Sequence, residues 1–170
     1  MEKERINRVA SSSLVSIDLD DYVDLSNTAE FDIQPALYQG IILKESDFRE
    51  YIKSFNWTSF EGKKVHVHCS ADAIIPTWAY MLVAAKLSPI AQLAVFGDID
   101  QLEKTIIDDA ITKICEQNLE NAKVVIKGCG AIKNRDYAYF QLTKVLAPSV
   151  SSIMYGEPCS TVPVFKRSRR

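Results

Sequence analysis

Three of the four cysteines in this sequence follow short apolar segments that we predict to be β-strands. They are Cys69, Cys129 and Cys159, and none belongs to a C-x-x-C pair. Because the carboxyl ends of parallel strands meet at one edge of a sheet, we expect the three thiols to converge there. Three thiolates joined by a histidine or a carboxylate make a tetrahedral site for zinc, or a site for iron. The sequence therefore predicts a zinc or iron site built on these cysteines.

The fourth ligand of this site is expected among His68, Asp72 and Glu157. Histidine occurs only at positions 66 and 68, whose side chains point to one face of a strand while Cys69 points to the other. We place His66 in the core or against a helix, and His68 close enough to the edge to be a ligand or a proton carrier. A bulge is needed to turn His68 toward the thiols, and a purely structural histidine is an equally consistent interpretation.

A reactive thiol is the second interpretation of the same cysteines. Gly128, Cys129 and Gly130 precede a predicted helix, whose dipole favours a thiolate at this position. Cys129 is therefore the first candidate for a catalytic nucleophile in a redox or nucleophilic enzyme. In a third interpretation the cysteines pack separately, and the protein is an interaction scaffold without chemistry. Cys115, beside apolar helical positions, is expected to be a small core residue.

Other residues at the same predicted edge are candidates for binding a small ligand. They are polar residues or glycines that follow the predicted strands, namely Ser70, Asp72, Gly128, Gly130, Glu157 and Ser160. The backbone N–H groups of the glycine loop are suited to bind an anion. The loop matches neither the Rossmann nor the P-loop pattern, so we predict no nucleotide cofactor. Ser70 is not in a G-x-S-x-G turn, so a hydrolase nucleophile is not expected there.

An internal repeat with an offset of 59 residues positions these candidates. Residues 64–98 align with residues 123–157 without a gap, and Lys64, Tyr80 and Gly97 fall on Lys123, Tyr139 and Gly156. Each copy has the pattern strand, helix, strand. We interpret this as a duplicated β-α-β unit, or as one architecture imposed twice.

The elements around the repeat complete one predicted domain of mixed α/β class. Its segments are an N-terminal cover (1–62), repeat one (64–98), a linking helix (100–117), repeat two (123–157) and a C-terminal tail (164–170). Strands alternating with helices favour a mostly parallel sheet with helices on both faces. Asp100 and Glu103 have the capping-box spacing for the start of the linking helix.

Composition and charge limit the classes of partner. The chain has 170 residues, a net charge of -2, and 47% hydrophobic residues. That balance argues against binding to nucleic acid, and no apolar run is long enough to span a membrane. Without an export signal we expect a cytoplasmic protein with free thiols. The predicted helix around residues 79–87 is apolar nearly all round, which favours a homodimer.

Three segments together resemble one known family. They are residues 69–80, residues 127–130 and residues 156–163, with similar stretches at residues 6–12 and 43–49. The sequence is similar to a bacterial family of uncharacterised proteins, DUF2480, over nearly the whole chain. The resemblance implies a bacterial cytosolic protein whose activity is not assigned, and it supplies no catalytic residues.

Overall fold

The chain forms two compact units in the computed structural model, which describes residues 14–128, 130, 132–157 and 159–168. The inserted unit, as we call it, is Leu25–Thr105. The flanking unit comprises the stretches on either side, up to Asp24 and from Ile106 onward. The prediction that all these residues belong to one domain stays a prediction.

The described residues contain seven strands and four α-helices. The strands are β1 (Leu14–Ile17), β2 (Thr28–Asp32), β3 (Lys64–His68), β4 (Leu93–Phe96), β5 (Lys123–Ile126), β6 (Ser152–Glu157) and β7 (Ser160–Lys166). The helices are α1 (Glu45–Ser54), α2 (Thr77–Leu87), α3 (Ile99–Cys115) and α4 (Arg135–Leu146). Helix α3 crosses the boundary at residue 105 and contributes to both units.

The inserted unit is built on a parallel sheet with the strand order β2-β3-β4. Alternate residues of these strands are apolar and face the helices. Phe31, Val65 and Val67 are buried in one cluster with residues of α1 and α2, which include Phe48 and Val83. The core of this unit therefore lies on one face of its sheet, and the remaining strand residues point to the opposite face.

The flanking unit has a four-stranded sheet with the order β1-β5-β6-β7. The first three strands are parallel, and β7 adds to β6 in the antiparallel direction. Ile17, Val124 and Ile153 are buried with residues of α3 and α4, such as Ile107 and Leu142. The expected α/β class with mostly parallel strands is confirmed, and the strands form two sheets where we expected one.

The two units place their elements at the positions that the repeat predicts. Strands β3 and β4 begin 59 residues before β5 and β6, and α2 and α4 end 59 residues apart, at Leu87 and Leu146. In each unit an earlier strand, β2 or β1, pairs in parallel with the first strand of the repeat. These correspondences support the interpretation of a duplicated unit, which stays a prediction.

Two strands, β2 and β7, were not predicted from the sequence. The capping residue of α3 and the burial of Cys115 were predicted wrongly. The sequence of β2 has a single large apolar residue, Phe31, and β7 contains Pro163, which is tolerated because β7 lies at a sheet edge. Asp98, rather than Asp100, caps α3, since its carboxylate accepts a hydrogen bond from the Gln101 N–H at 3.0 Å. Cys115 is exposed, because it is turned away from the buried face marked by Ile114.

Within the part of the chain that the structure describes, every helix is too short or too polar to cross a membrane.

Candidate metal centre

Strands β2 and β3 place four polar side chains on the face of the sheet opposite the apolar cluster. Glu30 is directly across from His66, and Asp32 is directly across from His68. Residues two apart on a strand share a face, so the two histidines and the two carboxylates form a square array. On each strand one core residue separates the two polar residues. Phe31 lies between Glu30 and Asp32, and Val67 lies between His66 and His68.

The apolar residues between them fix this arrangement. Phe31 lies between Glu30 and Asp32, is only 2% exposed, and stacks on Trp57 with ring centroids 5.1 Å apart. Since the side chains of a strand alternate strictly, burying Phe31 turns both carboxylates to the other face. The core residues of β3 hold the histidines in the same way.

Three of the four side chains bring possible ligand atoms together. One atom each of Glu30, His66 and His68 lies within 4.8 Å of the others. Nε2 of His68 is in hydrogen-bond contact with Oε1 of Glu30, and the rings of the two histidines have centroids 5.4 Å apart. Imidazole nitrogens and a carboxylate oxygen are ligands for zinc and for other first-row divalent metals.

His66 is the buried member of this group. Its exposure is 8%, and its ring atom Nδ1 is buried without a hydrogen-bond partner within the described residues. A buried polar atom without a partner costs about 1–3 kcal/mol. Among the described residues, His66 therefore carries an unsatisfied polar atom within this group.

The fourth side chain, Asp32, is held by hydrogen bonds from the loop after β3. Its carboxylate accepts bonds from the Ser70 hydroxyl at 2.5 Å, the Ser70 N–H at 3.0 Å and the Gln34 N–H at 2.9 Å. Burial raises the pKa of Asp32, but these bonds and the nearby His68 more than offset that effect, so the pKa lies below its ordinary value. Asp32 is therefore a fixed negative charge beside His68.

Comparison with known proteins places this chain in a family. The family described as "protein of unknown function (DUF2480)" matches residues 3–167. The chain belongs to DUF2480. No curated protein and no solved structure matches it.

The site residues that we predict from the sequence are distributed over both units. In the inserted unit, His68 joins the three-residue group and Ser70 binds Asp32. Cys69 is half-buried against the apolar cluster, with its thiol 3.7 Å from the carbonyl oxygen of Ala71. Asp72 is exposed in the loop that follows.

The flanking unit of this DUF2480 chain contains the other predicted residues. Cys159 is exposed in the turn between β6, which ends at Glu157, and β7, which begins at Ser160. A Cβ atom on Gly128 would lie 2.6 Å from the Tyr155 ring, and one on Gly130 would lie 2.6 Å from the Asp20 carboxylate. Cys129 lies outside the described residues. The site with three cysteines stays a prediction.

Sequence reasoning missed Glu30 as a candidate ligand and placed His66 in the core or against a helix. Glu30 precedes His66 by 36 residues and belongs to the strand that was not predicted, so no spacing connects the two. The available signal was the pair His66 and His68, which alternate with valines on a short strand.

The flanking unit has different residues at the corresponding positions. Ser16 and Val125 stand where the inserted unit has Glu30 and His66, and Lys127 stands in the place of His68. Nζ of Lys127 lies 3.2 Å from a carboxylate oxygen of Asp18. The hydrogen bond and the charge of Asp18 raise the pKa of Lys127. In the flanking unit the ammonium group of Lys127 therefore neutralises the charge of the Asp18 carboxylate, and these positions hold no histidines.

Proposed function

We propose that this DUF2480 protein binds a divalent transition-metal ion through Glu30, His66 and His68. The observation that carries the proposal is the convergence of three ligand atoms within 4.8 Å, one of them on a buried histidine. In the described part of the chain this is the group of histidine, cysteine and carboxylate side chains close enough to share one ion.

The ligand set favours zinc or ferrous iron over calcium or magnesium. Two imidazoles and one carboxylate suit borderline metals, whereas calcium and magnesium prefer oxygen ligands. Bonds of about 2.0–2.2 Å to zinc put neighbouring ligand atoms roughly 3.3–3.6 Å apart. Closing the group around an ion therefore requires side-chain movements of about 1 Å, in which the ion replaces the contact between His68 and Glu30.

Three protein ligands leave at least one coordination position open. Sites of this kind hold a water molecule or a substrate at that position, and the ion acts there as a Lewis acid. The side chains of His68 and Glu30 are 24% and 56% exposed, so the open position is reached from solvent. We propose that the ion is functional rather than only structural on this ground.

Titration with zinc and with cobalt(II) tests the proposal. Metal should bind with a stoichiometry of one, measured by calorimetry and by elemental analysis after dialysis. At a free concentration of one hundred times Kd, the free energy of unfolding should rise by about 2.7 kcal/mol, because the ion binds only the folded state. Four-coordinate cobalt should also give a visible absorption spectrum.

Substitutions that remove one proposed ligand should each lower the affinity for the metal at least about tenfold. They are Glu30→Gln, His68→Ala and His66→Leu. His66→Leu also removes the unpartnered nitrogen, so the metal-free variant should be no less stable than the parent. Cys159→Ser is the matched control and should leave binding unchanged. If Cys159→Ser abolishes binding while Glu30→Gln does not, the ion belongs to the predicted cysteine site and the proposal is wrong.

A further inference from the structure

Helix α4 presents a row of exposed residues that contains an apolar centre and opposite charges at its ends. Asp136, Phe140 and Lys144 follow one another at intervals of four residues, and all three are exposed. Phe140 is 69% exposed, although it is among the largest apolar side chains of the unit. Four-residue spacing keeps the three side chains on one face of the helix.

An aromatic groove continues this face onto the sheet of the flanking unit. It has a volume of about 620 Å³, and its walls include Phe140, Tyr139, Tyr155 and Val164. The rings of Tyr139 and Tyr155 meet edge to face, with centroids 5.3 Å apart. Exposed aromatic and aliphatic side chains grouped in this way are typical of the centre of a protein interface.

The charges at the two ends are self-complementary. Asp136 and Lys144 each lie four residues from Phe140, which is about 6 Å along the helix axis. Neither forms an ion pair within the described residues. When two copies of α4 cross in antiparallel orientation at Phe140, Asp136 of each copy faces Lys144 of the other. A symmetric dimer requires this kind of pairing, in which one patch contacts itself.

We infer that α4 is the contact of a homodimer, centred on Phe140 and flanked by two ion pairs between Asp136 and Lys144. The inference is independent of the metal site, which lies in the other unit. It assigns the homodimer expected from the sequence to α4 rather than to α2.

Helix α2 lacks the opposite charges that would form ion pairs with a second copy of the chain. Its corresponding positions are Thr77, Met81 and Ala85, so the apolar centre is present, with Met81 65% exposed, but the flanking charges are absent. The corresponding groove, beside Tyr80 and Phe96, has a volume of only about 60 Å³. Met81 therefore provides a matched control for Phe140.

Sedimentation equilibrium over about three decades of concentration, from micromolar to millimolar, tests the inference. The native protein should approach twice the chain mass of 19.1 kDa. Phe140→Ser should stay monomeric, and Met81→Ser should dimerise as the native protein does. Asp136→Lys and Lys144→Asp should each weaken the dimer about tenfold, because like charges replace two ion pairs.

The double variant with both charge changes separates docking from helix stability. Asp136 near the start and Lys144 near the end of α4 also favour the helix dipole, so single changes lower helix stability as well. Exchanging the two charges restores the pairs between copies while leaving the dipole unfavourable, so dimerisation should return. Three results would each overturn the inference. The first is a monomeric native protein, and the second is a double variant that is folded by circular dichroism but stays monomeric. The third is loss of the dimer in Met81→Ser.

Discussion

At the scale of single residues, Asp32 links the candidate metal centre to the pH dependence of stability. Its carboxylate accepts three hydrogen bonds, two of them from Ser70, and its pKa lies below the ordinary value. A folded-state pKa below the unfolded one adds stability above the unfolded pKa of about 3.9, and that stability is lost as the pH falls through the folded pKa.

Asp32→Asn should therefore destabilise the metal-free protein by about 1 kcal/mol at pH 7, because an amide accepts these bonds less strongly than a carboxylate. The difference between the variant and the parent should shrink as the pH is lowered below 4. Urea unfolding at pH 7 and pH 3 measures both values. Asp72→Asn, in the exposed loop nearby, should show no such difference, and an equal effect of the two substitutions would contradict the assignment.

The contents of the site were only partly predictable at this scale. His68 was a candidate because it lies near the carboxyl end of its strand, close to the edge where the predicted site was placed, and a structural role was an equally consistent interpretation. Glu30 could not be identified, since an exposed glutamate is ordinary and its place beside His66 depends on the register between β2 and β3. Register is set by the burial of Phe31 and by pairing across the sheet, which a single strand does not show.

At the scale of elements, two glycines mark the ends of the corresponding strands in the two units. Gly97 follows β4 with φ of 124°, and Gly156 lies in β6 with φ of 118°. Other residues rarely adopt such angles, so both substitutions by alanine should destabilise. The surroundings of the two glycines differ in degree: a Cβ at Gly97 would lie 3.0 Å from Cβ of Gln101, which is fixed to the backbone of α3, whereas one at Gly156 would lie 2.6 Å from the backbone oxygen of Ser160.

Gly97→Ala should cost about 1–2 kcal/mol of stability, from backbone strain and from the close contact with Cβ of Gln101. Gly156→Ala should cost at least about 1 kcal/mol more, because the hairpin of β6 and β7 must also shift to relieve the contact. Thermal unfolding of the two variants measures the difference. Equal losses would show that the hairpin has more freedom than its backbone geometry indicates.

Elements with strong local signals were predicted closely, and those held by tertiary contacts were not. The linking helix predicted at residues 100–117 matches α3, Ile99–Cys115, to within two residues at each end. Strands β2 and β7 were missed because their sequences contain polar residues or proline. Each gains its structure from the neighbouring strand, β3 or β6, rather than from its own pattern.

At the scale of the whole molecule, the proposed metal site lies in the inserted unit, which is one of two units. Amide hydrogen exchange should therefore respond unevenly to zinc. At one hundred times Kd, exchange through opening of the inserted unit should slow about a hundredfold in β2 and β3. Exchange in β5 and β6 should be unchanged if the flanking unit opens separately. Equal slowing in all four strands would show instead that both units unfold as one cooperative body.

The insertion of one unit within the other also sets an order of events during protein synthesis. Within the described residues β1 pairs only with β5, where Leu14 is opposite Lys123, and these residues are 109 positions apart (123 − 14). At about 5–20 residues per second, β5 is made roughly 5–20 s after β1. The inserted unit is one continuous stretch of chain and can fold during that interval, before β5 is available to pair with β1. A four-residue strand interrupted by Ser16 limits the exposed edge that nascent chains present to one another.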